Sequence, residues 1–230
     1  MPPIGAMIIV AFLLIFVATI AWIITANRKE STKLQETAHT LGFQPIESSA
    51  ELVAQISGVY RRHRPQMEYR LENVYQRRMP DGDLYLFDLV GDSGENGNQN
   101  EQQSLAVVSP HLNLPHFLLF PRAELAGLAG SLANRLLEWA ASQAGEQIEF
   151  PDAPGFDERY LLASLEPEQA RLFFHPSLLA QLGQTRHGAV QGWGQVFIYS
   201  QVVFSRAPAA QESLSQRVTE ARNILRILQM

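Results

Sequence analysis

Residues Met67–Val90 read MEYRLENVYQRRMPDGDLYLFDLV. In Met67–Arg78, apolar or aromatic side chains at Met67, Tyr69, Leu71 and Tyr75 fall two or four apart, the period of a strand with one covered face. Pro80-Asp81-Gly82-Asp83 is a turn sequence: proline presets φ, aspartate caps its own backbone, and glycine accepts positive φ. Beyond it, Leu84, Leu86, Asp88 and Val90 alternate with Tyr85, Phe87 and Leu89. The two runs predict an antiparallel hairpin.

Working outward, Glu30–Leu41 predicts a helix stopped by Gly42, and Phe43–Ile46 a short strand. Ala50–Ile56 predicts a short helix closed by Gly58. Asp92–Gln103 (DSGENGNQNEQQ) holds no apolar residue and is expected to be a loop or long hairpin connection. Ser104–Ser109 and His116–Phe120 predict further strands. Arg122–Ala144 has Leu125, Leu128, Leu132, Leu136 and Trp139 at helical spacing. After it come strands at Gln147–Phe150 and Tyr160–Leu165, and short helices at Pro167–Phe174 and Ser177–Leu182. A hairpin is expected around Gly192-Trp193-Gly194, then a closing helix, Gln211–Gln229. Hairpins dominate and no regular strand–helix–strand alternation appears. The expected class is α+β, a mainly antiparallel sheet packed with helices that include a C-terminal one. A division near residues 145–155 into two subdomains is compatible with this order.

The 230-residue chain opens with a 23-residue run, Ile4–Ala26, that contains no charged side chain. As a helix it would span roughly 34 Å, enough for a bilayer core. A cleaved signal peptide fits less well: Met1–Gly5 has no basic residue, the apolar run is too long, and Ile23-Ile24-Thr25-Ala26-Asn27 is a poor cleavage site. The reading is therefore an anchor over residues 1–28 and a folded domain over 29–230. Arg28, Lys29 and Lys33 follow the run, and no Lys or Arg precedes it. Basic residues stay cytoplasmic, which sets the N-terminus outside and the domain inside. Residues 27–78 carry nine basic and six acidic side chains, net +3; residues 79–230 carry nine and 17, net −8. A basic membrane-proximal part suits an anionic leaflet.

The net charge of −5 and the pI of about 5.7 argue against a general nucleic-acid binder. The absence of cysteine excludes disulfides, thiolate metal sites, iron–sulfur clusters and cysteine nucleophiles. Gly192-Trp193-Gly194 has Phe197 where a phosphate-cradling loop needs its third glycine, and Gly91-Asp92-Ser93-Gly94 lacks nucleophile-elbow spacing. Of His39, His63, His111, His116, His175 and His187, only His111 and His116 lie close in sequence. No cofactor, metal set or catalytic set is assigned. Asp88, a charge inside an apolar strand, fits a solvent-face residue, a salt bridge with an arginine such as Arg70, or a catalytic carboxylate. Leu214, Val218, Ala221, Leu225 and Leu228 form a seam that fits packing on the sheet or self-association. Arg61, Arg62 and Arg64 form the strongest basic cluster and are the candidate contacts for lipid headgroups or an acidic partner; a solvated loop is the plainer alternative.

The runs LYLFDLV, LPHFLLFPR and EFPDAPGFDERYLLASLEPEQARLFFHPSLLAQL resemble a loosely defined, uncharacterised group of bacterial single-span membrane proteins. That resemblance covers roughly residues 80–185 and the anchor. It implies a bacterial envelope protein with an α+β domain and brings over no site residues. The leading expectation is a membrane-tethered, non-enzymatic interaction domain at the cytoplasmic face of the inner membrane, in contact with the bilayer through residues 4–26 and with a protein partner. The alternatives are an enzyme with a cleft site of His111, His116 and Asp88, and a periplasm-facing envelope assembly factor.

Overall fold

The computed structural model describes residues 34–62, 65–92, 99–122, 145–185, 188–200 and 213–230, with residues 99–102 by backbone only. The anchor run Ile4–Ala26 and the helix expected within Arg122–Ala144 lie outside the described residues, apart from Arg122 itself. No helix among the described residues is long and apolar enough to cross a membrane. The chain divides into two compact units, Met1–Gly42 and Phe43–Met230. In the first, residues 34–40 form a helix, α1, ended by Gly42 at φ 81°.

The second unit is α+β. Its strands are β1 (Gln44–Pro45), β2 (Glu68–Met79), β3 (Gly82–Asp92), β4 (Gln99–Val108), β5 (Leu114–Pro121), β6 (Glu146–Ile148), β7 (Tyr160–Ser164), β8 (Ala189–Gly194) and β9 (Val196–Ser200). Its helices are α2 (Ala50–Arg61), α3 (Pro154–Asp157), α4 (Pro167–Phe173), α5 (Pro176–Leu182) and α6 (Leu214–Leu228). The described strands make one nine-stranded sheet in the order β1-β2-β3-β4-β9-β8-β5-β7-β6, every pair antiparallel. Residues on either side of 145–155 therefore share one sheet. The β8–β9 hairpin returns from late in the chain to fill the gap between β4 and β5.

The β2–β3 hairpin forms as expected, with Met79 opposite Gly82 and only Pro80-Asp81 between. Gly82 stands at φ 143°, and a Cβ there would lie 2.6 Å from the Ser109 Cβ and the Val108 carbonyl oxygen. The Ser109 hydroxyl donates to the Asp81 carbonyl, so the turn is seated on the end of β4. Gln99–Gln103, expected as loop, extends β4 instead. Ladder bonds to β3 come from the backbone and need no apolar side chains.

One irregularity changes the phase of β2. Glu72 pairs with Asp88 and Tyr75 with Leu86, so Asn73 and Val74 oppose Phe87 alone. Asn73 takes φ 48°, the left-handed region that asparagine tolerates better than most residues. This is a β-bulge. The strand therefore buries Tyr69, Leu71 and Val74 on one face, not the series 69-71-73-75 that strict alternation expects.

On that face lies α2, whose N-terminus is capped by the Ser49 side chain accepting from the Leu52 amide. Leu52, Ile56, Val59 and Tyr60 pack on Tyr69, Leu71, Val74, Tyr85, Phe87, Leu89, Ala106, Val196 and Ile198. α6 covers the opposite face. Its buried stripe of Leu214, Val218, Ala221, Ile224, Leu225 and Leu228 has the spacing of one helix side. Tyr199, in the alternate phase to Ile198, donates to Glu220 at 2.7 Å. Farther along the sheet, Phe117 of β5 meets the Phe174 ring edge-on at 5.1 Å between centroids.

A polar cluster is enclosed beneath α2. The Ser104 and Ser200 hydroxyls, on paired positions of β4 and β9, lie 2.7 Å apart. Tyr60 is buried, and its hydroxyl has no hydrogen-bond partner of good geometry among the described residues. Burial pushes its phenol up to about 12, and the nearby serines only partly offset this. A group whose pKa rises on folding stabilises fully below its unfolded value and loses that contribution as pH climbs through the folded one. Stability is therefore expected to fall between the ordinary tyrosine value of 10 and about 12. Tyr60→Phe should flatten that fall and leave stability at neutral pH unchanged or raised, because it deletes an unsatisfied hydroxyl. Denaturant midpoints across the alkaline range check this; an unchanged slope in the Phe variant would contradict it.

Candidate functional site

The basic cluster is not one continuous surface. Arg61 is exposed in the last turn of α2, and His63 and Arg64 lie outside the described residues. Arg62 has an internal role. Its guanidinium carbon sits 4.2 Å from the Trp193 ring centroid, and Nη1 pairs with Glu166 Oε1 at 2.5 Å. The stacking and the ion pair join the end of α2 to the β8–β9 hairpin and to Glu166, just before α4. The Arg62 hydrogen bond holds the Glu166 carboxyl below its ordinary value.

The structure does not bring together the carboxylate–histidine set expected for a cleft enzyme. Asp88 is on β3 and His116 on β5, four strand positions away in the sheet. At about 4.8 Å per strand, that is roughly 19 Å. Asp88 pairs with Gln103, and the stretch from Gln103 to Val108 carries the chain roughly 17 Å farther before His111 is reached. A general base must reach its proton directly or through one water, so these residues share no site. His116 is fully buried: its Nδ1 accepts from the Leu165 amide at 3.1 Å, and its carbonyl accepts from the Ser164 hydroxyl at 2.5 Å. His111 is exposed in the β4–β5 loop. His175 is the N-cap of α5. Among the described residues no group of three or more His, Asp or Glu is placed to hold a metal ion.

Asp88 does have partners, though not Arg70, which pairs with Glu72 at 3.7 Å. Asp88 is 8% exposed. It accepts from the Asn73 amide at 2.7 Å and from the Gln103 amide at 3.4 Å. Gln103 in turn accepts from Arg217 Nη1 at 2.6 Å, and its carbonyl from Nη2 at 3.3 Å. The relay runs β2–β3–β4–α6 and lies on the α6 face, in the phase of Leu86 and Val90.

Where α6 passes the β2–β3 hairpin, a groove of about 450 Å³ opens. Arg77 and Arg78 line its strand side; Arg222 and Arg226 line its helix side, above Val218 and Leu225. Asp81 is the acid that lines it. None of these four arginines is in an ion pair among the described residues; Arg226 donates to Asn223 at 2.8 Å. Sequence reading missed the site because its halves lie at opposite ends of the domain. The local signals were the Arg77-Arg78 doublet and the i, i+4 spacing of Arg222 and Arg226, which puts both on one helix face. Comparison with protein-family models, curated proteins and solved structures returns no match.

Glu166 yields a signed pH dependence. A lowered carboxyl stabilises above its unfolded value, and that contribution is lost as pH falls through the folded value. Arg62→Ala should cost about 1 kcal/mol at pH 7. The gap from the parent chain should narrow as pH drops below the ordinary 4.5. Denaturant unfolding monitored by tryptophan fluorescence at both pH values checks this; a gap that widened in acid would contradict it.

Proposed function

We propose that this chain is a membrane-tethered interaction domain at the cytoplasmic face of a bacterial inner membrane, and that it does not act as an enzyme. The observation that carries the reading is the 23-residue uncharged run Ile4–Ala26 followed by Arg28, Lys29 and Lys33. The run supplies an insertion signal, and the charge asymmetry supplies a direction. The resemblance to single-span bacterial envelope proteins agrees with this placement.

The contact surface we assign is the arginine-lined groove; exposed Arg61, at the end of α2 on the other face of the sheet, is not part of it. Arg62 is left out because Glu166 and Trp193 already occupy it. A cavity of about 450 Å³ with Arg77, Arg222 and Arg226 against one aspartate reverses the sign of an acidic chain locally, which favours an anionic partner.

Two C-terminal reporter fusions test the placement, one active only outside the inner membrane and one only inside. The inside reporter should be active, and the protein should stay in the membrane pellet after carbonate extraction. Activity of the outside reporter would overturn the orientation and favour a periplasmic assembly role. Release by carbonate would overturn the tether.

A further inference from the structure

The β-bulge at Asn73 determines what the groove presents. With strict alternation, Arg77 would share a face with Tyr69 and Leu71, toward α2. With two residues accommodated opposite Phe87, Arg77 falls in the other phase, opposite Leu84, on the side where α6 runs. Arg222 and Arg226, one turn apart on α6, then face Arg77 across the groove. Arg78, opposite Asp83, borders the groove by position but is in the alternate phase of the strand, and Thr219, Asn223 and Gln229 add neutral hydrogen-bonding groups. Arg77, Arg222 and Arg226 against Asp81 leave two positive charges over an apolar floor of Val107, Val218 and Leu225.

Arginines without acidic partners on two walls repel one another, and a ligand with one negative charge would leave part of that repulsion in place. A phosphate group carries up to two charges and several acceptor oxygens, and guanidinium forks match it bidentately. The volume suits a small phosphoester or a single headgroup with the first carbons of its chains. We propose that this groove binds a phosphate-bearing anion, either a free phosphoester or the headgroup of an anionic lipid. The inference rests on the groove being the contact surface and is independent of the tether.

The test is calorimetric titration of the full chain in zwitterionic micelles with inorganic pyrophosphate, short-chain phosphatidic acid, short-chain phosphatidylcholine and succinate. Pyrophosphate or phosphatidic acid should bind at one site per chain and more weakly as salt rises. Binding of both assigns a free phosphate group; binding of phosphatidic acid alone assigns a headgroup. Arg222→Ala/Arg226→Ala should weaken binding at least about tenfold, since each lost charge-assisted contact is worth that much. Both residues are exposed, so the fold should persist; a melting curve verifies it, and Arg77→Ala tests the other wall if it does not. Arg171→Ala, beside Glu146, should change nothing. Saturable binding to none of the ligands, equal binding of succinate, or arginine variants that bind like the parent would overturn the proposal. Reporter fusions read out the tether separately, so the two readings fail in distinguishable ways.

Discussion

A carboxylate taken out of water must be given hydrogen bonds or it loses its charge. Asp88 sits in the apolar middle of β3, under a helix, and the surrounding structure supplies what it lacks. The Asn73 amide reaches it because β2 bulges there. The Gln103 amide reaches it from β4, and Arg217 holds Gln103 from α6. One buried charge thus ties together three strands and the last helix of the chain. The same bulge sends Arg77 to the α6 side, and the same helix contact sets Arg222 and Arg226 across from it. The groove follows from how Asp88 is satisfied.

Much of the fold was legible in the sequence. The hairpin at Met67–Val90, the β8–β9 hairpin and the final helix declared themselves through period and turn chemistry, which are local, although Gly192 and Trp193 pair within β8 and the turn itself falls at Gly194-Gln195. Gly194, at φ 55°, fills the first place of the two-residue β8–β9 loop, where glycine is favoured. What was not legible was non-local or depended on one residue. The phase change at Asn73 needs Asp88 opposite it. Gln99–Gln103 is held by β3, not by its own side chains. Nothing in the order of elements announces that β8 and β9 separate β4 from β5.

The arginines show the same limit at the candidate site. Arg61, Arg62 and Arg64 were conspicuous because they are neighbours in sequence, yet Arg62 is used to staple α2 to Trp193 and Glu166. The four that line the groove were inconspicuous because β2 and α6 meet only in three dimensions. Density of charge along a chain marks a site only where the fold leaves that charge without a partner. Asp88 carried the opposite lesson: an odd residue in an apolar strand was a real signal, and its meaning was structural.

The relay from Asp88 through Gln103 to Arg217 is measured most directly by a double-mutant cycle on stability with Asp88→Ala, Arg217→Ala and the pair. If the network acts as one unit, each single change should destabilise by about 1–3 kcal/mol, and the double variant should lose less than the two singles together by at least about 0.5 kcal/mol. Strict additivity would contradict the account: α6 would then be placed by its apolar stripe alone, and the buried carboxylate would have no part in setting the groove.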